Sequence, residues 1–255
     1  MRRAAAVLSF FIWFAGPAFA GEFQCEVLSV KGAVKVIQGS GESAALKEGD
    51  LLKKGAKIET AEGAEADIAF DKDWKNILRI ETESAAELSS IFPAKVGLEK
   101  GGLFAKLRQI PKDSSFEVQT PTALAAVRGT EYRTTFEGGQ TQVFNSSNSE
   151  VFVYGRDAAG NASGEPVVLA HSQKTTVTKT GESPKPGELM STDETKKGEE
   201  MKTAIEEKVE EAGKAGRIGK IQDVTALEKS LLSKGPVEEA ESRVVDTRRR
   251  VFKKD

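Results

Sequence analysis

The side chains that most often carry catalysis or bind metals are few in this chain and far apart in sequence. There is one histidine, His171, and one cysteine, Cys25, so a Ser-His or Cys-His nucleophilic pair would depend on that single histidine. Zinc sites need clustered Cys and His ligands, which are absent. Asp71-Lys72-Asp73 lacks the spacing and the glycine of a calcium loop. No glycine-rich phosphate loop precedes a helix. We therefore expect no enzyme, no cofactor and no metal site.

Both rare side chains have structural interpretations. His171 lies between Val167-Val168-Leu169 and Thr175-Thr176-Val177, so we predict an exposed turn between two strands. A single cysteine cannot form an internal disulfide. Cys25 is therefore interpreted as a buried thiol, with an intermolecular disulfide as the alternative.

The most distinctive residues lie between Phe116 and Tyr132. Pro121, after Thr120, fixes its own φ and lacks an N–H donor, so it suits a strand edge or a bend. Gly129 allows a backbone geometry or a close approach that a Cβ would forbid. The guanidinium of Arg128 can lock a corner by binding carbonyls or a carboxylate, and Thr130 can bond the neighbouring backbone. We interpret these five residues as an architectural corner, and a partner-contact site is the alternative.

A second candidate contact is the basic cluster of Arg248, Arg249, Arg250, Lys253 and Lys254. It could attach to an anionic surface such as phospholipid headgroups or envelope polymers, or it could be a solvated tail. Each basic residue near a charged membrane contributes about 1 kcal/mol, so the attachment would be weak.

Residues 25 to about 178 alternate between apolar and polar side chains in short runs, as half-buried strands do. Many short strands joined by regular turns indicate an all-β class, in which the strands form a sandwich, a barrel or a short β-helix-like module. The clearest runs are residues 33–37, 64–70, 77–80, 115–118, 131–136 and 150–154. Turns are predicted at Gly49-Asp50, Glu62-Gly63, Gly101-Gly102, Gly138-Gly139 and Gly160-Asn161.

After Thr178 the composition becomes strongly charged, and the proline-containing residues 183–187 indicate a linker. Apolar residues then recur at helical spacing at Met201, Ile205 and Val209. This pattern predicts a charged, partly helical C-terminal tail. Its narrow apolar stripes are compatible with docking on the β domain, with a coiled coil or with a loosely ordered state. Further stripes are Ile218, Ile221, Val224, Leu227 and Leu231, and then Val237, Ala240 and Val244.

The N-terminus has the features of an export signal. Arg2-Arg3 precede a short apolar run from Ala4 to Phe14, and Ala18-Phe19-Ala20 places small residues before the expected cleavage site. We therefore predict a signal peptide at 1–20, an all-β domain at 21–180, a linker at 181–192 and the charged tail at 193–255. No second stretch is apolar for long enough to span a membrane, so the mature chain is expected to have no transmembrane segment.

The charges nearly balance: Lys and Arg number 37 and Asp and Glu number 39, for a net charge of −2. This balance provides no overall attraction to nucleic acid, so no nucleic-acid partner is expected.

The Phe116–Tyr132 stretch resembles the signature of the FecR domain, a bacterial envelope module. The shared pattern is a strand, Thr-Pro, a short apolar segment, Val-Arg-Gly-Thr, and an aromatic residue that leads into another strand. The resemblance covers about residues 27–178 and leaves the charged tail unexplained. Weaker similarities are Gly49–Leu52 with Gly55, Ile58–Thr60, Ala64–Phe70 and Leu98–Phe104.

The expected function is an exported, non-enzymatic binding or scaffolding module of the bacterial envelope. It would be periplasmic or secreted and would contact a protein or an envelope polymer. The resemblance also implies an alternative, because the family includes regulators that control a sigma factor across the inner membrane. That role needs a cytoplasmic segment and a membrane helix before the domain, where this chain has a signal-like segment. The alternative is therefore an accessory component of a FecR-type transmembrane signalling system controlling sigma-factor-dependent transcription.

Overall fold

A computed structural model describes residues 23–221, except for residues 40, 109, 111–113 and 218. The predicted signal peptide, the basic cluster at 248–254 and most of the later apolar stripes lie outside the described residues.

The described residues form mostly β-strands, which confirms the all-β prediction, and one helix near the C-terminal end. Every strand run named from the sequence corresponds to an observed strand. The strands are β1 (Gln24–Lys31), β2 (Val34–Ile37), β3 (Ser43–Ala45), β4 (Leu51–Lys53), β5 (Lys57–Thr60), β6 (Glu65–Ala69), β7 (Asn76–Ile80), β8 (Ala85–Ser90), β9 (Ala94–Leu107), β10 (Phe116–Gln119), β11 (Ala123–Val127), β12 (Glu131–Glu137), β13 (Gln140–Asn145), β14 (Val151–Arg156), β15 (Ala162–Leu169), β16 (Gln173–Val177) and β17 (Glu188–Leu189).

The strands pair into two sheets that share β9. Sheet A has the order β4-β1-β6-β7-β9-β12-β13-β16-β17, and all its pairs are antiparallel. Sheet B has the order β3-β2-β5-β8-β9-β10-β11-β14-β15, in which only the β9–β10 pair is parallel. Among the alternatives left open by the sequence, the strands therefore form a two-sheet sandwich.

The two sheets enclose one continuous apolar core. Val27, Ile68 and Leu78 of sheet A belong to the same cluster as Ile58 and Leu88 of sheet B. Alternation along each strand directs these side chains inward and the polar ones outward.

Cys25 is fully buried in this core, as predicted for a structural thiol. Burial raises the pKa of its thiol well above the ordinary value, because the charged thiolate is poorly solvated there.

Gly101-Gly102 does not form the turn predicted from the sequence. The pair lies inside β9, where residues up to Lys100 pair with sheet B and residues from Gly101 pair with sheet A. Gly101 has a φ of 87°, and a Cβ on it would lie 2.6 Å from the Cα atom of Ser84. The strand therefore passes between the sheets at a position that only glycine tolerates. Glycine pairs mark turns and strand bends equally, so the sequence alone could not distinguish them.

The predicted linker runs along the edge of the sandwich. The N–H of Gly181 donates to the carbonyl of Arg156, and the N–H of Lys185 donates to that of Thr176. Helix α1 (Thr192–Lys214) follows directly. Ser191 and Glu194 form a capping box at its start, which satisfies N–H groups that would otherwise lack partners.

The Gly101→Ala substitution should lower the free energy of unfolding more than Gly63→Ala does. Both glycines have positive φ, but nothing lies within 4 Å of a Cβ built on Gly63. The contact with Ser84 should add about 1–3 kcal/mol to the cost at residue 101. Chemical denaturation of the two variants measures this difference, and equal losses would show that β9 can shift at no cost.

Candidate binding face

Helix α1 packs on the outer face of sheet A. Ile205 and Ala212 are buried there, and Met201 and Val209 are partly buried. The stripe predicted from the sequence therefore docks on the β domain. Their contacts on the domain are Leu28, Ala69, Trp74, Ile77 and Phe104. We call this apolar patch, together with the charged side chains around it, the α1-covered face.

A buried ion pair, Asp67 with Arg79, belongs to the charged part of this face. Arg79 Nε and Nη2 donate to the two carboxylate oxygens of Asp67 at 2.7 and 2.8 Å, and the hydroxyl of Ser29 donates to the same carboxylate. Burial disfavours a charged guanidinium, but bonding to Asp67 outweighs this effect and raises the pKa of Arg79. Both charges are therefore satisfied by the sheet itself.

A second bidentate pair joins Glu81, the residue after β7, to Arg133 of β12. Arg133 Nε and Nη2 donate to the carboxylate of Glu81 at 2.6 and 2.8 Å. The same guanidinium lies 5.5 Å from the ring centre of Phe144 on β13, within the range of a cation–π contact. Lys197 of α1 approaches Glu81 at 3.7 Å, so the helix adds a further charge to a pair already made within the sheet.

Two further charges of the sheet, on Glu131 and Lys106, also pair with the helix. Glu131 has a second partner within the β domain, because Arg108 Nη2 lies 2.7 Å from its carboxylate. Lys202 Nζ lies 3.3 Å from the carboxylate of Glu131, which is itself 5% exposed. Glu206 faces Lys106 at 3.2 Å and Arg108 at 3.4 Å. Partial burial would raise the pKa of Glu206, but attraction from these cations, Lys106 foremost, keeps it below the ordinary value. These ion pairs therefore determine the position of α1 along its axis relative to the strands of sheet A.

The residues after α1 are also attached to sheet A. Arg217 Nη1 donates to the carbonyl of Leu28 at 2.9 Å, and its guanidinium lies 5.5 Å from the ring centre of Trp74. Glu26, which is 1% exposed, accepts a hydrogen bond from the N–H of Lys220 at 2.7 Å. These contacts hold the C-terminal end of the helix over β1.

One glycine brings the start of α1 close to the sandwich. Gly198 is buried, and a Cβ on it would lie 2.5 Å from Oγ and 3.4 Å from Cβ of Ser146. Gly213 lies in the same helix, and nothing lies within 4 Å of its hypothetical Cβ. Glycine at position 198 therefore allows α1 to lie close to Ser146. This contact explains the presence of a residue that otherwise destabilises helix interiors.

Thr120 and Pro121 form the turn between β10 and β11. Thr120 Oγ1 accepts from the N–H of Ala123 at 2.9 Å and lies 2.5 Å from Oγ1 of Thr141. Arg156 Nη1 donates to the carbonyl of Thr120 at 2.7 Å. Pro121 is exposed at the bend, a position where its missing N–H has no effect on strand pairing. Hydroxyl groups thus tie this end of the motif to sheet A through β13.

Arg128, Gly129 and Thr130 lie at the other end of β11, where the chain crosses from sheet B to sheet A. Gly129 has a φ of 120°, the kind of backbone geometry expected from the sequence. Thr130 is buried, and its hydroxyl bonds that of Ser147 rather than a backbone group. Arg128 is exposed at the crossover.

The two halves of the motif therefore do not converge on one site. The five residues of β11 separate them, a distance of about 16 Å at 3.3 Å per residue. The crossover instead starts β12 with Glu131 and Arg133 directed to the α1-covered face.

Sequence reasoning missed these charged residues of the face. The available signal was a charge inside an apolar strand, as in Ala66-Asp67-Ile68 and Leu78-Arg79-Ile80, because unpaired charges are seldom buried there.

The other side chains considered for chemistry lie apart from this face. His171 is exposed between β15 and β16, as predicted, with Nδ1 3.2 Å from the carbonyl oxygen of Ser147. Asp71 accepts hydrogen bonds from the N–H groups of Asp73, Lys75 and Asn76 in the β6–β7 turn. Across the described residues, no three His, Cys, Asp or Glu side chains are grouped as metal ligands. No helix in the described part has the length and apolar character needed to span a membrane.

The Gly198→Val substitution should detach α1, whereas Gly213→Val should not. Both changes replace a glycine of the helix by valine, and the gain in helix propensity is larger at the interior position 198 than at residue 213 near the helix end. Only residue 198 meets Ser146, so a greater loss of docking at 198 cannot come from propensity. Overpacking at residue 198 should destabilise the docked state of α1 by about 1–3 kcal/mol. The rate of amide hydrogen exchange in α1 should then rise by roughly fivefold or more. Hydrogen exchange of both variants measures the effect, and equal protection in the two would contradict the close approach.

Comparisons with known proteins agree with the motif. The family model described as "FecR protein" matches residues 56–149, from the end of the β4–β5 turn to the β13–β14 turn. No curated protein matches the chain. Two crystal structures of a "putative anti-sigma factor" from Parabacteroides distasonis ATCC 8503 are similar over part of their length, with 14% identity and TM-scores of 0.43 and 0.42. In each case the match covers 54% of this chain and 61% of that one. The family match and the motif therefore fall on the same part of the chain, because residues 56–149 include Thr120 to Thr130.

Proposed function

We propose that the chain is an exported, non-enzymatic binding module of the bacterial envelope that uses the α1-covered face of its FecR domain. The observation that carries this proposal is the face itself. It already binds one amphipathic segment, α1, through an apolar patch and matched ion pairs. Such a combination of apolar centre and charged surround is characteristic of recognition surfaces.

The accessible part of the face lies along one side of α1. Two open grooves of about 360 and 500 Å³ lie between the helix and the β1 side of sheet A. Lys31 lines both, and its side chain is 72% exposed. Arg79 and Glu81 line the first groove, and Glu48 and Arg217 line the second. A partner could therefore reach charged groups of the face while α1 stays in place.

Export belongs to this proposal. Export is supported by residues 1–20, which we predict to be a signal peptide. It also agrees with the typical position of FecR domains on the periplasmic side of membrane signalling proteins. The proposed domains are 21–180 for the module, 181–192 for a linker and 193–255 for the charged tail. The basic residues at 248–254 would be a second, weaker contact with an anionic surface.

The binding role predicts that a single charge reversal on the face weakens partner capture. Immobilised full-length protein should retain an envelope protein or polymer from extracts, and Lys31→Glu should reduce the retained amount severalfold. Among the residues that the structure describes, Lys31 forms an ion pair with Glu65 alone, a surface pair worth about 1 kcal/mol or less. The fold should therefore tolerate the change.

The matched control is Lys35→Glu, which reverses an exposed charge on β2 of sheet B. It should capture the same partner as the wild type. Absence of any retained partner would contradict the binding role, and equal loss in both variants would contradict its assignment to the α1-covered face.

The family match favours a second candidate, an accessory role in a FecR-type signalling system, because FecR relatives are regulatory proteins. Such a role would require a separate membrane partner to carry the signal. Deletion of the gene should then change transcription of a sigma-dependent operon next to it. Unchanged transcript levels would remove this candidate and leave the binding role intact.

A further inference from the structure

The geometry points to a more specific partner: we propose that the α1-covered face is a receptor for an amphipathic helix of another protein, and that α1 is its replaceable intramolecular occupant. This inference rests on the proposed binding function and names the class of partner.

The first argument is the nature of the α1 contact. The helix docks through side chains, with its own backbone satisfied internally and by the Ser191 capping box. Only Gly198, Ile205 and Ala212 are buried among its 23 residues. A segment held by so few buried residues can leave the sheet without disturbing strand pairing. This is the helix-in-groove mode, in which residues three, four or seven positions apart act as anchors, as Met201, Ile205 and Val209 do here.

The second argument is that the sheet is organised without α1. The Asp67–Arg79 and Glu81–Arg133 pairs lie within sheet A, so their geometry does not depend on the helix. The receptor is thus preformed, and a partner would not have to order it.

The third argument is the charge pattern, which defines what can replace α1. From its N-terminal end, a helix needs cations opposite Glu81 and Glu131, supplied here by Lys197 and Lys202. It then needs an anion opposite Lys106, supplied by Glu206. Apolar anchors must lie between these charges, at the positions of Met201 and Ile205. The partner segment is therefore an amphipathic helix with this order of charges.

The fourth argument is incomplete filling of the interface. Ala204, a small residue of α1 that is only partly buried, lines the groove next to Arg79 and Glu81. Because space remains there, a helix with a larger side chain at this position would bury more surface than α1 does. A partner could consequently compete with the tethered helix.

The test uses the predicted mature chain, residues 21–255, and a synthetic peptide of residues 191–217. Because Trp13 lies in the predicted signal peptide, Trp74, which α1 covers, is the single tryptophan of this chain. In this chain, Ile205→Glu should release α1 and shift Trp74 emission to longer wavelength. Added wild-type peptide should restore the original emission saturably, and a peptide with Ile205→Glu should not.

Charge reversal tests the specificity of the receptor. Protein carrying Glu131→Lys with Ile205→Glu should bind a peptide with Lys202→Glu at least fivefold more tightly than the wild-type peptide. If the Ile205→Glu protein misfolds, Gly198→Leu serves as the second means of releasing α1, with circular dichroism checking that the β-sheet signal is retained.

Three results would overturn the proposal. One is a folded, α1-released protein that does not bind the peptide. Another is hydrogen exchange in wild-type α1 as slow as that in β12, which would make α1 a permanent part of the fold. The third is concentration-dependent dimerisation by exchange of α1 in sedimentation, which would assign the face to a second copy. None of these affects partner capture through Lys31, so the proposed function is tested separately.

Discussion

The passage of β9 from one sheet to the other is the constraint on which this structure depends. Its first half pairs with β8 and β10, and its second half pairs with β7 and β12. No other described strand belongs to both sheets. The bend occurs where Gly101 meets the backbone of Ser84, a contact that excludes any side chain. This single crossing fixes the relative position of the two halves of the sandwich and therefore the position of the charges on β7 and β12.

The motif that resembles the FecR signature has a related architectural role. Its Thr120-Pro121 end ties the β10–β11 turn to β13 through hydroxyl groups, and its Gly129 end carries the chain from sheet B into sheet A. Hydroxyls can satisfy buried backbone groups where strands end, which explains the threonines at this bend. The motif thus contributes to the α1-covered face indirectly, by determining where β12 begins.

The face combines interactions of two kinds. The bidentate pairs of Asp67 with Arg79 and Glu81 with Arg133 are complete within the sheet. By contrast, Glu131 and Lys106 have helix residues among their partners. Pairs of the first kind hold the surface in shape, because a buried charge without a partner is strongly unfavourable. Pairs of the second kind select what binds, because they are formed only by a helix with the matching order of charges.

Local information in the sequence determined much of the fold. Period-two alternation located the strand runs, His171 was correctly predicted in an exposed turn, and Cys25 in the interior. The Met201, Ile205 and Val209 stripe identified a helix with one apolar side. These features depend on neighbouring residues, so a sequence pattern is sufficient to detect them. Only the tertiary structure decided that Gly101-Gly102 bends a continuous strand, that the two ends of the motif lie apart, and that α1 covers sheet A. Each of these depends on residues distant in sequence, such as Ser84 with Gly101 or Glu131 with Lys202, and local patterns do not specify such contacts.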